Sequence, residues 1–134
     1  MKETELKLGD LEVATLEAVW SVGALDARQL HARIGEQRGI SLQTVQSTLE
    51  RLFKKSVLER EKVSHAYVYS PRLSREDVMA KLVSDTLSRF GDNRNDGLLA
   101  AFSGLTETAD DDVLATLEAL IAERKTKRED GGAA

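Results

Sequence analysis

The stretch Ser41–Lys55, SLQTVQSTLERLFKK, holds the side chains best suited to bonding with another molecule. Gln43, Thr44, Gln46 and Ser47 can hydrogen-bond to base edges or phosphates, and Arg51 and Lys54 can do so with a positive charge. Val45, Leu49, Leu52 and Phe53 fall at i, i+4, i+7 and i+8, so a helix here buries one apolar stripe and turns the polar residues outward. Short polar residues near the start and cations near the end suit a helix that reads a DNA groove. An ordinary solvated surface helix carries a similar pattern, so the surrounding elements must decide.

Those elements read as follows. A first helix is expected from about Asp10 to Trp20, started by Gly9 or Asp10 and followed by Gly23. Its inward residues would be Val13, Leu16 and Trp20, with Val19 beside them and with Glu12 and Glu17 facing solvent. Asp26 is a good N-cap for a second helix with Ala27, Leu30 and Ile34 inward, stopped at Gly35 or Gly39. Ser41 caps the third helix, which makes a helix-turn-helix. Beyond Lys55 the period changes to 2. Val57–Lys62 and Ala66–Ser70 form a hairpin around Val63-Ser64-His65, and Pro71 closes it. Helix-turn-helix followed by hairpin is the order of a winged helix, here over residues 1–72. Arg60, Lys62 and His65 on the wing are candidate contacts to a phosphate or minor groove.

The rear, residues 73–127, is expected to be helical, with 128–134 a frayed tail. Ser74 and Asp77 form an S-x-x-D capping box before a stripe of Met79, Leu82, Val83, Leu87 and Phe90. A loop at GDNRND, a short helix with Leu98, Leu99 and Phe102 ending near Gly104, and a last helix capped by Thr108 or Asp110 complete the chain. The last helix would turn Val113, Leu114, Leu117, Leu120 and Ile121 inward. About 60 residues of amphipathic helix bury such stripes poorly alone, and pairing with a second copy resolves this. Met79, Leu82, Leu98, Phe102, Val113, Leu117 and Leu120 are therefore candidate dimerisation residues. The fold class expected is mainly α with a small β-hairpin wing: a winged helix-turn-helix followed by a helical dimerisation domain.

Charge is unevenly spread. Residues 1–75 carry 12 Lys+Arg and 10 Asp+Glu, net +2, while residues 76–134 carry 7 and 13, net −6, which makes −4 in all. Within Arg28–Lys62 the count is 8 basic to 4 acidic. A mildly basic front with an acidic rear suits a specific DNA binder better than a nonspecific one. There is no cysteine, which excludes disulfides, thiolate metal sites and cysteine nucleophiles and fits a reducing cytoplasm. Short apolar runs exclude membrane insertion, and the first residues lack the apolar core of a signal peptide. No catalytic constellation, Gly-rich phosphate loop or H-E-x-x-H is present, so neither enzyme activity nor a cofactor is expected. His31 and His65 lie too far apart for a metal site, and Asp110–Asp112 lacks the Gly and terminal Glu of a calcium loop. Arg51 has a competing use as a salt-bridge partner of Glu50, Glu59 or another acid.

The runs LGDLEVATLEAVW, SLQTVQSTLERLFKKSVLER, SHAYVYSPRLSRED and LLAAF together resemble the penicillinase-repressor (BlaI/MecI/CopY-like) family of winged-helix transcriptional regulators. The resemblance covers about Leu8 to Ile121 and is most specific at Thr44–Lys55 and Ala66–Pro71. It implies a cytoplasmic homodimer that represses transcription at an inverted-repeat operator in double-stranded DNA. Its contacting positions match Gln43, Thr44, Gln46, Ser47, Arg51 and Lys54, with Gln46 where some relatives carry a basic residue. It also implies a cleavage bond, Ala101–Phe102, cut after a signal from a membrane metalloprotease-type sensor or by a downstream protease. The resistance regulators have Asn where this chain has Ala101. The cysteine-rich tail of copper-responsive relatives is absent. Two other functions compete: a winged-helix protein-interaction module without DNA binding, and a repressor responding to a small ligand between front and rear.

Overall fold

The computed structural model describes residues 5–89 and 94–132. Helix α1 spans Asp10–Val22, and a two-residue strand β1, Leu25–Asp26, follows it. Helix α2 is continuous through three segments, Ala27–Leu30, a π-type His31–Gly35 and Glu36–Arg38. Helix α3 is Leu42–Lys54, and the wing strands are β2, Leu58–Val63, and β3, Ala66–Pro71. Helices α4 (Arg75–Ser88), α5 (Arg94–Thr106) and α6 (Asp111–Gly132) make the rear. One compact unit runs to Thr86 and a second starts at Leu87. The mainly helical winged-helix class expected from the sequence is what the chain adopts.

Local chemistry sets the helix starts. The Asp26 carboxylate accepts the Gln29 N–H at 2.8 Å while the Gln29 side chain accepts the Asp26 N–H at 2.9 Å, so two orphan donors of α2 are satisfied. Ser41 Oγ accepts the Thr44 N–H at 3.1 Å, Ser74 Oγ accepts that of Asp77 at 3.0 Å, and the Asp110 carboxylate accepts that of Val113 at 3.0 Å. Gly39, at φ +68, ends α2 in the left-handed region, which a residue without Cβ enters freely. The π-type turn brings the His31 ring against Gly35, where an added Cβ would collide with it. His31 Nε2 lies 2.9 Å from the Ile40 carbonyl, which ties α2 to the turn before α3.

The sheet has the order β1-β3-β2 and is antiparallel throughout. Leu25 pairs with Tyr69 and Asp26 with Val68, so the wing is a three-stranded sheet rather than the bare hairpin expected. Ser64, at φ +57, turns the hairpin. The core gathers Leu16 and Val19 of α1, Leu30 of α2, Val45, Leu49 and Leu52 of α3, and Leu25, Leu58 and Tyr69 of the sheet.

Several expectations change. Leu16 and Val19 are buried as expected, but Val13 is 42% exposed and Glu12 only 7% exposed, so these two exchange their expected places. The inward face is Glu12, Thr15, Leu16, Ala18 and Val19, because the Gly9 amide and Lys55 offer the Glu12 carboxylate hydrogen bonds. Glu17 is half-buried and meets Arg75 at 2.9 Å. Trp20 packs on the core and donates from Nε1 to the Leu73 carbonyl at 3.0 Å. The front unit extends past Arg72, since Val78 enters its core and Leu73 and Leu82 pack against it. Within the expected loop GDNRND, residues from Arg94 on are helical. Helix α6 continues to Gly132 where a frayed tail was expected, and a Lys127–Glu123 pair at 3.5 Å spans its later turns. Phe90 lies outside the described residues.

Candidate nucleic-acid interface

Helix α3 is anchored by what it buries. Val45, Thr48, Leu49 and Leu52 face the core, and Thr48 returns its hydroxyl to the Thr44 carbonyl at 2.8 Å. Gln43, Thr44, Gln46, Ser47, Glu50, Arg51 and Lys54 are left exposed, as the sequence pattern requires. Thr44 Oγ1 lies 3.1 Å from Ser41 Oγ, within the cap. The side chains of Gln43, Gln46 and Ser47 make no hydrogen bond to the rest of the chain among the described residues. They are the groups most available to a base edge.

On one flank α3 is tied to α1. The buried Glu12 carboxylate accepts the Gly9 N–H at 3.0 Å and Lys55 Nζ at 2.8 Å, with Arg51 Nε at 4.0 Å. Burial alone would raise the Glu12 pKa, but the bonds from Lys55 and Gly9 and the charges of Lys55 and Arg51 outweigh it and hold the carboxyl below its ordinary value. Lys55 also donates to the Lys7 carbonyl at 2.6 Å. Arg51 donates from Nη2 to Thr48 Oγ1 at 3.2 Å. The acid that Arg51 meets is thus Glu12 rather than Glu50 or Glu59, and its side chain stays 53% exposed.

On the other flank the wing is pinned to α3. Arg60 pairs across the strands with Tyr69, and Lys62 with Tyr67. The Arg60 guanidinium stacks 4.0 Å from the Phe53 ring centre and 4.1 Å from that of Tyr67, a double cation–π contact. It also donates to the Tyr69 hydroxyl at 3.4 Å. Arg60 therefore joins wing to helix, while Lys62 and His65 are exposed. Between wing, α3 and the start of α2 lies an open groove of about 430 Å³, lined among others by Arg28, Gln46, Glu50, His65 and Tyr67.

The arrangement is an outward helix of exposed polar side chains, braced on both flanks, with exposed cations Arg28, Lys54 and Lys62 on or beside it. A family model for the penicillinase repressor matches residues 8–123. The chain belongs to the penicillinase repressor family. The family resemblance drawn from Thr44–Lys55 and Ala66–Pro71 is thereby borne out, and the family is one of transcriptional repressors, not of enzymes. A transcriptional regulator named BlaI from Mycobacterium tuberculosis is 32% identical over 88 residues, 65% of this chain and 64% of that protein. The chain thus spans just under two thirds of that relative. A penicillinase repressor from Bacillus licheniformis is 20% identical over 123 residues, 92% of this chain and 96% of the relative. The solution structure of the DNA-binding domain of the repressor BlaI superposes with a TM-score of 0.50 at 22% identity, over 57% of this chain and 93% of that one. That likeness supports the winged-helix fold of the front unit.

Sequence reasoning missed Glu12, Lys55, Phe53 and Tyr67 as the residues that brace α3. The rear candidates fare differently from one another. Met79, Phe102, Val113 and Leu120 are exposed, Leu117 is half-buried, and Leu82 packs on the front core. The side chain of Leu98 lies outside the described set. Ala101 and Phe102 are both exposed within α5. Among the described residues no helix is long and apolar enough to cross a membrane.

Proposed function

We propose that this chain is a homodimeric transcriptional repressor that places one α3 in each half of a palindromic operator. The observation that carries this is the braced α3 with Gln43, Gln46 and Ser47 unengaged and Lys54 at its far end. Lys62 and His65 on the wing, and Arg28 on α2, supply backbone contacts. Arg51 adds a phosphate or guanine contact from its anchored position.

Dimerisation is supported by the rear. Among residues 96–131 with described side chains none is buried. Leu99, Phe102, Leu105, Val113, Leu120 and Ile121 are 37% to 69% exposed. Apolar surface left in water at this density favours association at roughly 25 cal/mol per Å² removed, and a two-fold partner offers the same stripe in return. Relief of repression is proposed at Ala101–Phe102, cut by a membrane metalloprotease-type sensor or a protease downstream of it. A protease needs extended chain. Gly97 and Gly104 flank the bond within α5, and each costs the helix about 1 kcal/mol relative to Ala.

The test combines sedimentation of the full chain with gel shifts on the duplex upstream of its own gene over a salt series. A dimer should form, and log affinity should fall linearly with log salt, by roughly 0.9 per phosphate contact. Half-sites should lie about one turn apart or a small multiple, ~34 Å per turn. A monomer at micromolar concentration, or equal binding to a scrambled duplex, refutes the proposal. A fragment ending at Ala101 in induced cells is the product expected of the proteolytic switch.

A further inference from the structure

Glu50 stands in the middle of the reading face. Gln43, Ser47, Glu50 and Lys54 follow at i, i+4, i+7 and i+11, all exposed on one stripe of α3. The other three can each donate a hydrogen bond, whereas an ionised carboxylate only accepts. It is repelled by phosphates and by the guanine O6 and N7 and thymine O4 acceptors of the major groove. Folding accounts for only a small part of it, through a favourable charge near the Arg60 guanidinium. Its ion pair is with Lys54 at 3.2 Å, and the two side chains are 51% and 71% exposed. Exposed i,i+4 pairs of this kind contribute little to stability.

We propose that Glu50 is a specificity-determining residue that accepts a hydrogen bond from a cytosine N4 amino group and weakens binding where that donor is missing. This rests on the operator-binding function proposed above. The choice of cytosine over adenine follows from the groove edges. Adenine places its N7 acceptor beside the N6 amino group, and that lone pair opposes a group that carries only acceptors. Cytosine has no acceptor of its own beside N4. The paired guanine presents O6 and N7, which Lys54, one turn along, can bond as a donor. Glu50 and Lys54 together thus match the donor and acceptors of a C·G pair. Glu50 also lines the groove beside Gln46, so the two side chains address neighbouring positions.

The test selects binders from a pool of random duplexes with the full wild-type chain and with Glu50→Gln and Glu50→Ala. Circular dichroism confirms equal folding. The wild-type pool should enrich C·G at one symmetric position in both half-sites. Changing that pair to T·A should weaken wild-type binding by roughly 5- to 150-fold, the range of one good base contact. Glu50→Gln should bring that ratio near one, since an amide can donate to thymine O4, and both variants should bind unselected duplexes more tightly. The same consensus and ratio in wild type and variants overturns the proposal while leaving operator binding intact. Enrichment of adenine at that position overturns the cytosine assignment. A folded wild-type dimer that enriches no consensus instead removes the operator-binding function on which the proposal stands.

Discussion

Glu12→Ala should destabilise the front unit by about 2–3 kcal/mol. The carboxylate holds the Gly9 N–H at the start of α1 and Lys55 Nζ at the end of α3, at 3.0 and 2.8 Å. A hydrogen bond to a charged group contributes about 1.5–3 kcal/mol. Two would exceed the figure given, but Lys55 keeps the Lys7 carbonyl and its side chain is 32% exposed, which lets water offset part of the loss. Glu12→Gln keeps the Gly9 bond and should cost about half as much. Urea unfolding at fixed protein concentration, followed by Trp20 fluorescence, measures this, because Trp20 packs on the same core. A double-mutant cycle with Lys55→Met should give a coupling of about 1 kcal/mol. The pH dependence has a definite sign. Because the folded carboxyl titrates below its ordinary 4.5, its contribution is complete above that value and is lost as pH falls through the lower folded value. Wild type and Glu12→Ala should therefore converge in acid. A loss under ~0.5 kcal/mol at neutral pH, with no coupling to Lys55, would refute the role given to this carboxylate.

Gly35→Ala should cost ~1–3 kcal/mol by overpacking, since the new methyl meets the His31 ring; thermal unfolding with no loss of Tm would mean that the π-type turn relaxes freely. Leu120→Asp should weaken dimerisation by placing a charge in the proposed seam, while the unchanged front unit keeps its Trp20 signal; sedimentation at unaltered dimer affinity would move the seam elsewhere. Thr15→Val should stabilise by ~1 kcal/mol, because the buried Thr15 hydroxyl finds no hydrogen-bond partner among the described residues; a measured loss in urea unfolding would show that the hydroxyl is paired in solution.

Much of the front was legible in the sequence because short-range chemistry specifies it. Asp26 and Ser41 announce their helices by capping, and the alternation around Tyr67 and Tyr69 announces a hairpin. Strand β1 was not legible, since two residues have no period and their pairing with Val68 and Tyr69 is decided about 40 residues away. The α1 register failed at Glu12 for a related reason. Apolar patterning sends a carboxylate outward, and only the fold brings Lys55 and the Gly9 amide to it. Arg60 reads from sequence as a wing cation, and its stacking on Phe53 and Tyr67 is a contact between elements that neither segment encodes by itself. The polar face of α3 was read correctly because amphipathicity alone fixes it, whereas its partners depend on what approaches from outside.

The division of labour along α3 has an evolutionary consequence. Gln43, Gln46 and Ser47 contribute nothing to the frame, so exchanging them should shift folding stability by no more than about 0.5 kcal/mol. Duplicated copies of such a gene can therefore drift to new target sites one substitution at a time without passing through unfolded ancestors, and a designer can randomise those three codons while holding the scaffold fixed.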